Sequence, residues 1–332
     1  MNFTMNGCEK HLSDGVRVYF LSSGLIGVPI LEALLREPRV ILTGIGSQPD
    51  RPVGRKQVLT PTAFARHALS LGCEVDRVES VNCPEFLEKI RVSGTEIVLV
   101  VSFGQLLKRQ LLELPPFGCL NIHASLLPKY RGACPINAAI LNGDGETGVS
   151  FMQMGPGLDT GPVYCTRSLE ILPNDTTGSL EARLGHLAAE SVADVLWSIA
   201  RLGATSTPQP EATMPNVRKI SKNDGVIDWS EDATRIACKV RAYLPWPKTF
   251  TYLPVLGQRR RVQVTNATVE SDTFPAHERP GEILSADGKG LRIACGQGVL
   301  CLHRVIPEGK KEMAVADFLR GNPVVAGAFC CD

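Results

Sequence analysis

Asn121 and His123 stand two residues apart in the run CLNIH, which reads as a strand, so their side chains share one face of a sheet. A carboxamide beside an imidazole supplies a donor for a developing oxyanion and a group that passes protons near neutral pH. Asp159 lies in GLDTG, where glycines on both sides permit a sharp turn that can bring a carboxylate back to the imidazole, orient it and raise its basicity. Together the three suit acyl transfer to an amine. Nitrogen attacks a carbonyl carbon, charge builds on oxygen, and a proton leaves the nitrogen. Singly, each residue also has an ordinary structural reading: a satisfied histidine in a strand, a turn-forming aspartate, an asparagine capping backbone at a strand end.

Such a trio is useful only if a scaffold holds it, and the flanking sequence predicts one. VRVYFLSSGLIGVPILEALL reads as a strand over 16–21, a Ser/Gly turn and a helix from about residue 27 to 36. A strand over 40–45, the loop SQPDRPVGRKQVLTP, a helix near 62–71, a strand at 74–78, a helix at 84–93 and a buried-type strand at 96–101 follow. This alternation predicts an α/β fold with a doubly wound, mostly parallel sheet, whose ligands bind beyond the carboxyl ends of the strands. After a helix at 179–201 comes GATSTPQPEATMPN, read as an exposed connector. Beyond it, a short helix near 232–243 gives way to brief β-rich runs with Gly and Asp-Gly turns, which predict a small β-barrel of the OB-like type. The expected domains are 14–205, a linker at 206–217, and 218–332.

With 332 residues, 44% hydrophobic and 21% charged, the chain buries enough apolar surface for two domains and is not expected to be disordered. No apolar run approaches the roughly 18–20 residues that span a bilayer, which excludes a membrane helix. The segment MNFTMNGCEKHLSDG lacks the order of a secretory signal or an organelle presequence, so a cytoplasmic location is expected. Eleven cysteines without a CxxC pair fit neither a disulfide framework nor a structural zinc site. Cys330 and Cys331 read as an exposed thiol pair at a mobile end. A net charge of +1 argues against a uniformly basic coat for nucleic acid but allows a local basic face. From Pro208 onward there are 17 Lys and Arg against 14 Asp and Glu, and Arg259, Arg260 and Arg261 form the dense basic run. That run reads either as the solvated face of a hairpin or as a contact for an RNA backbone.

The string NIHASLLPKYRGACPINAAILNGDGETGVSFMQMGPGLDTG resembles the signature of the 10-formyltetrahydrofolate-dependent formyltransferases. The resemblance implies that Asn121, His123 and Asp159 are the catalytic residues and that Ser125, Leu126, Leu127 and Pro128 line the folate site. Those four also read as a proline-terminated turn, which is compatible with ligand contact. Variants of the string occur in relatives that formylate glycinamide ribonucleotide or sugar nucleotides, and in a formyltetrahydrofolate hydrolase domain. SQPDRPVGRKQVLTP, KISKNDGVIDWS and RAYLPWPKTFTYL are similar to segments of the methionyl-tRNA formyltransferase family, and the likeness runs over about residues 16 to 320. It implies transfer of the formyl group of 10-formyltetrahydrofolate to the α-amino group of initiator methionyl-tRNA, giving N-formylmethionyl-tRNA and tetrahydrofolate for translation initiation. It also implies that Arg51, Arg55 and Lys56 contact the tRNA, with Arg55 the key contact, and that the β-rich domain binds tRNA. A Gly/Pro-bounded loop carrying three cations suits an acceptor stem's phosphates. No metal is needed, because the carrier brings an activated formyl group. A monomer is expected. The rival readings are a folate-dependent formyltransferase acting on a small amine such as a sugar nucleotide or glycinamide ribonucleotide, and a catalytically silent tRNA-binding protein of the same fold. Two departures from the family pattern stand out. Residues 20–26 read FLSSGLI where F-x-G-T-P-x-F is usual, and Lys56-Gln57-Val58 replaces a glycine and further lysine.

Overall fold

The structure is a computed structural model that describes residues 15–54, 56–271 and 279–330; Arg55 and Cys331 lie outside the described residues. The chain divides into two compact units. The first takes the described residues up to Gly132 together with Thr147–Leu169 and Glu181–Asn216. Its elements are β1 (Val16–Ser22), α1 (Gly27–Arg36), β2 (Val40–Ser47), β3 (Arg51–Val53), β4 (Val58–Thr60), α2 (Ala63–Ser70), β5 (Asp76–Arg77), α3 (Pro84–Val92), β6 (Ile97–Val101), α4 (Arg109–Leu112) and β7 (Cys119–His123). After α5 (Pro135–Leu141), which groups with the second unit, come β8 (Glu146–Gln153), β9 (Val163–Glu170) and α6 (Thr177–Arg201).

Seven strands form one sheet in the order β5-β2-β1-β6-β7-β8-β9. β1 pairs in parallel with β2 and β6, β6 with β7 and β2 with β5, while β8 runs antiparallel to β7. The order reverses between β1 and β6, which makes the carboxyl ends of these strands the expected place for ligands. Sequence and structure agree for a physical reason. Helix α1 buries Ile30, Leu31 and Leu34 at helical spacing, and all five residues of β6 are buried, as a central parallel strand requires. Tyr19, Leu21, Val98, Val100 and Leu111 share one apolar cluster, with the Tyr19 and Phe86 rings edge to face at 5.4 Å. Each such fully buried side chain contributes roughly 1.5–3 kcal/mol, so the sheet holds its shape independently of the surface loops.

Two expectations need correction. The strand expected at 74–78 shrinks to Asp76–Arg77, because only Gly46↔Asp76 and Ser47↔Arg77 pair at this sheet edge. The loop expected between β2 and α2 folds into an antiparallel hairpin, with Arg51↔Thr60, Pro52↔Leu59 and Val53↔Val58 in register. Gly54 and Gln57 turn it with φ of +73° and +50°. Burial does not make this hairpin, since Val53, Val58 and Leu59 are 56%, 58% and 67% exposed. Turn geometry and backbone pairing do, and neither leaves an apolar period for sequence to reveal.

The second unit takes Ala133–Glu146, Glu170–Leu180 and the described residues from Val217 onward. Its further elements are α7 (Ala233–Ala242), β10 (Thr249–Val255), β11 (Gln258–Ser271), β12 (Ile283–Asp287), β13 (Gly290–Ala294), β14 (Val299–Pro307), β15 (Met313–Ala314) and α8 (Val315–Gly321). The strands form a curled antiparallel sheet, β10-β11-β14-β13-β12 with β15 on β14, of the OB-like barrel class. Ile227, Trp229, Val262, Leu300 and Phe318 fill its core, and the buried Trp229 indole donates to Thr251 Oγ1 at 3.0 Å. Two stretches that precede the connector in sequence belong here because α7 needs partners at its carboxyl end. The Ala242 carbonyl accepts from Asn137 Nδ2 at 2.7 Å and from Thr177 Oγ1 at 2.6 Å. Cys330, read as exposed at a mobile end, is half-buried, and its N–H donates to Gly281 O at 2.8 Å. Among the described residues no helix is long and apolar enough to cross a membrane, and no group of three or more His, Cys, Asp or Glu could hold a metal ion.

Candidate active site

Strand β7 carries the carboxamide and the imidazole. Asn121 lies opposite Met152 and His123 opposite Ser150 on β8, so the alternation inferred from CLNIH holds. Two residues of strand advance about 6.7 Å, which sets the pair along one face at the carboxyl end of β7. Asn121 is half-buried, and among the described residues no hydrogen bond occupies its carboxamide. His123 is buried, and its Nε2 lies 3.0 Å from the Tyr130 carbonyl. Tyr130 is itself buried with φ of +57°, a left-handed conformation that aims this carbonyl at the ring and that its residue type does not announce.

Asp159 reaches the same ring. Its Oδ2 lies 3.7 Å from His123 Nδ1, with the carboxylate side chain only 13% exposed. The turn thus brings the carboxylate back to the imidazole at a distance longer than a hydrogen bond, and the hydrogen bond to the ring is the one between Nε2 and the Tyr130 carbonyl. The same Oδ2 accepts from Gly132 N at 2.8 Å, and Asp159 sits in the left-handed region with φ of +50°. Gly161 has to be glycine, because a Cβ there would lie 1.8 Å from Gln153 O.

The stretch implied to line the folate site forms a closed turn directly after β7. The Leu127–Pro128 bond is cis, and Lys129 N donates to Leu126 O at 3.1 Å. Ser125 is buried and its hydroxyl donates to Lys129 O at 2.6 Å. Ser150, which carries no signal in the sequence, accepts from Leu127 N at 3.0 Å and donates to Ser125 O at 2.7 Å. Leu126, Leu127 and Pro128 are half-buried, so part of their apolar surface stays open to solvent.

The cationic positions are arranged differently. Arg51 and Lys56 are exposed on the β3–β4 hairpin, whose root is held by Arg77 Nε donating to Asp50 Oδ1 at 2.6 Å. On the second unit, Arg261 lies 3.8 Å above the Phe250 ring and Arg259 4.7 Å above the Tyr252 ring, while Arg260 Nη1 donates to Asn322 Oδ1 at 3.3 Å. The unusual turn after β1 is held from within the first unit. Glu181 accepts from Ile26 N at 3.2 Å, and burial pushes its carboxyl above the ordinary range despite the amides of Ile26 and Leu25.

Comparison with known proteins agrees with this architecture. Residues 17–196 match the formyl transferase family and residues 219–323 the formyl transferase C-terminal domain. A methionyl-tRNA formyltransferase of Citrifermentans bemidjiense is 38% identical over 314 residues, covering 94% of this chain and 96% of the relative. The enzyme of the same name from Methylacidiphilum infernorum is 36% identical over 313 residues, covering 94% and 97%. Among solved structures, HypX from Aquifex aeolicus in complex with tetrahydrofolic acid superposes with a TM-score of 0.58 at 18% identity, covering 92% of this chain and 47% of that one. An N-formyltransferase from Helicobacter canadensis, in complex with folinic acid and dTDP-3-aminofucose, gives 0.60 at 16% identity over 86% and 98%. At these identities the two structures speak for the fold alone.

Proposed function

The chain belongs to the formyltransferase family, in its methionyl-tRNA formyltransferase branch, and from this we propose how its residues move a formyl group from 10-formyltetrahydrofolate to the α-amino group of initiator methionyl-tRNA. The enzyme is a transferase of translation initiation. The observation that carries the chemistry is the meeting at the end of β7 of Asn121, His123 and the Asp159 carboxylate 3.7 Å from the ring. The amine nitrogen bonds to the formyl carbon, whose oxygen takes the electron pair of the C=O bond. Asn121 donates to that oxyanion. His123, faced by the Tyr130 carbonyl and the Asp159 carboxylate, is suited to hold the proton that leaves the attacking nitrogen. When the bond from carbon to N10 of the folate breaks, N10 takes a proton, formyl-methionyl-tRNA and tetrahydrofolate remain, and no metal enters the scheme. Functional domains at 14–205 and 218–332 joined by 206–217, with 133–146 and 170–180 of the first grouping with the second compact unit, a cytoplasmic location and a monomeric state complete the reading.

The donor is assigned to the turn over Ser125, Leu126, Leu127 and Pro128, whose half-buried leucines and proline come directly after β7, the strand that ends in His123. Leu127→Ala should raise KM for 10-formyltetrahydrofolate about tenfold, the loss expected for a few methylenes of pocket contact. KM for methionyl-tRNA should stay within about twofold. Steady-state titration of each substrate at saturation of the other reads the difference, and equal rises in both would remove the turn from the donor site.

The acceptor is assigned to Arg51 and Lys56 on the hairpin, to Arg55 between them in the sequence, and to the arginine-over-aromatic face of β10 and β11, where ring and guanidinium together suit a nucleic acid. The experiment that tests this reading pairs Arg51→Ala with Arg55→Ala. kcat/KM for methionyl-tRNA should fall about tenfold or more, because the hairpin's binding energy positions the amine. Its dependence on log salt should flatten by roughly 0.7–0.9 for each phosphate that is no longer neutralised. An unchanged kcat/KM and salt slope would return the hairpin to the role of an ordinary solvated loop.

A further inference from the structure

Gln209 lies in the stretch that reads as an exposed connector, yet its side chain ends between the two loops of the active site. Its Nε2 donates to Asp159 O at 2.9 Å and to Gly161 O at 2.7 Å, with Met152 Sδ at 3.5 Å. Its Oε1 accepts from Arg131 Nε at 3.0 Å and Arg131 Nη2 at 2.7 Å. Arg131 Nη2 also donates to Pro210 O at 3.4 Å. Two residues earlier, Thr207 and Val163 exchange backbone hydrogen bonds of 2.9 and 2.8 Å, which fix the connector against β9 before Gln209 reaches inward.

Both ends of one carboxamide are therefore spent on joining the 158–161 turn to the 130–132 loop. Arg131 stands between Tyr130, whose carbonyl meets His123 Nε2, and Gly132, whose N–H holds the Asp159 carboxylate. Asp159 and Tyr130 both have positive φ, +50° and +57°, conformations that non-glycine residues adopt at a cost and keep only where their surroundings over-determine them. The bonds from Gln209 supply that determination for the Asp159 turn. Neither alanine, which has no polar atoms, nor glutamate, which accepts but cannot donate, could do so.

We propose that Gln209 is a positioning residue for formyl transfer: by bracing the Asp159 turn against the Arg131 loop it sets the approach of the Asp159 carboxylate to His123. The inference rests on the reading that this pair serves the reaction. Gln209→Ala and Gln209→Glu should each lower kcat about tenfold while KM for 10-formyltetrahydrofolate and for methionyl-tRNA stay within about twofold, since a brace of the reacting geometry acts on turnover rather than on uniform binding. Glutamate is the sharper variant. It keeps an acceptor for Arg131 and so guards the fold, but it loses both donations to the turn. Amide hydrogen exchange over 156–162 should quicken in both variants, with exchange across β6 and β7 unchanged. Wild-type kcat together with unchanged exchange in the turn would overturn the proposal, as would a fall in kcat accompanied by equal changes in both KM values and faster exchange throughout the sheet. Should the wild-type chain transfer no formyl group to methionyl-tRNA, the functional reading fails on its own, and the exchange measurement still decides whether Gln209 holds the turn.

Discussion

His123→Ala is expected to lower kcat by about 10²- to 10⁴-fold, the range for loss of a positioned acid-base group. The substitution removes the ring that lies 3.0 Å from the Tyr130 carbonyl and 3.7 Å from the Asp159 carboxylate, and leaves Asp159 with no proton carrier to act on. KM for methionyl-tRNA should change little, because the ring is buried at the end of β7 and is not among the cations assigned to RNA. Asp159→Asn should lower kcat less than His123→Ala, since it removes a charge at 3.7 Å while leaving the ring and the Tyr130 carbonyl in place. The double variant should be no slower than His123→Ala alone, because residues that act as a unit are not additive. Single-turnover formyl transfer with saturating methionyl-tRNA reads these steps directly. Turnover near wild type in His123→Ala would remove the ring from the mechanism.

The second large effect falls on the oxyanion. Asn121→Ala should reduce kcat by about 10²- to 10³-fold, the cost of losing one preorganised donor to a tetrahedral intermediate. Asn121→Asp should be at least as damaging: it replaces donors with a carboxylate whose charge opposes the one developing on the formyl oxygen. Neither change should unfold the protein, since Asn121 is half-buried on a strand whose neighbours Leu120 and Ile122 carry the packing. Thermal midpoints within a few degrees of wild type would accompany the kinetic loss, and a variant with wild-type kcat would place the oxyanion elsewhere.

Asn121 and His123 are legible in the amino-acid sequence alone, because a strand's alternation is a local property and CLNIH displays it. Helix α1 is legible for the same reason, through Ile30, Leu31 and Leu34, and the glycines around Asp159 announce its turn. What stays hidden depends on pairings far apart in the chain or on backbone conformations that residue type does not reveal. Gln209 meets Asp159 across 50 residues, and Glu181 meets Ile26 across 155. The Tyr130 carbonyl reaches His123 through a positive φ at a tyrosine, where no glycine signals the turn. The hairpin at 51–60 reads as a loop because its apolar residues are exposed, and 133–146 reads as part of the first domain because chain order says nothing about the Asn137 bond to Ala242.

Formyl transfer by the intact chain, supplied with 10-formyltetrahydrofolate and offered charged initiator methionyl-tRNA, glycinamide ribonucleotide and an amino sugar nucleotide in parallel, tests the central claim most directly. The account predicts N-formylmethionyl-tRNA formed with kcat/KM at least about 10³-fold above either small amine, since only the tRNA can spend binding energy on the hairpin and on the β10–β11 face. Rapid formylation of a small amine, with methionyl-tRNA left unformylated, would contradict it.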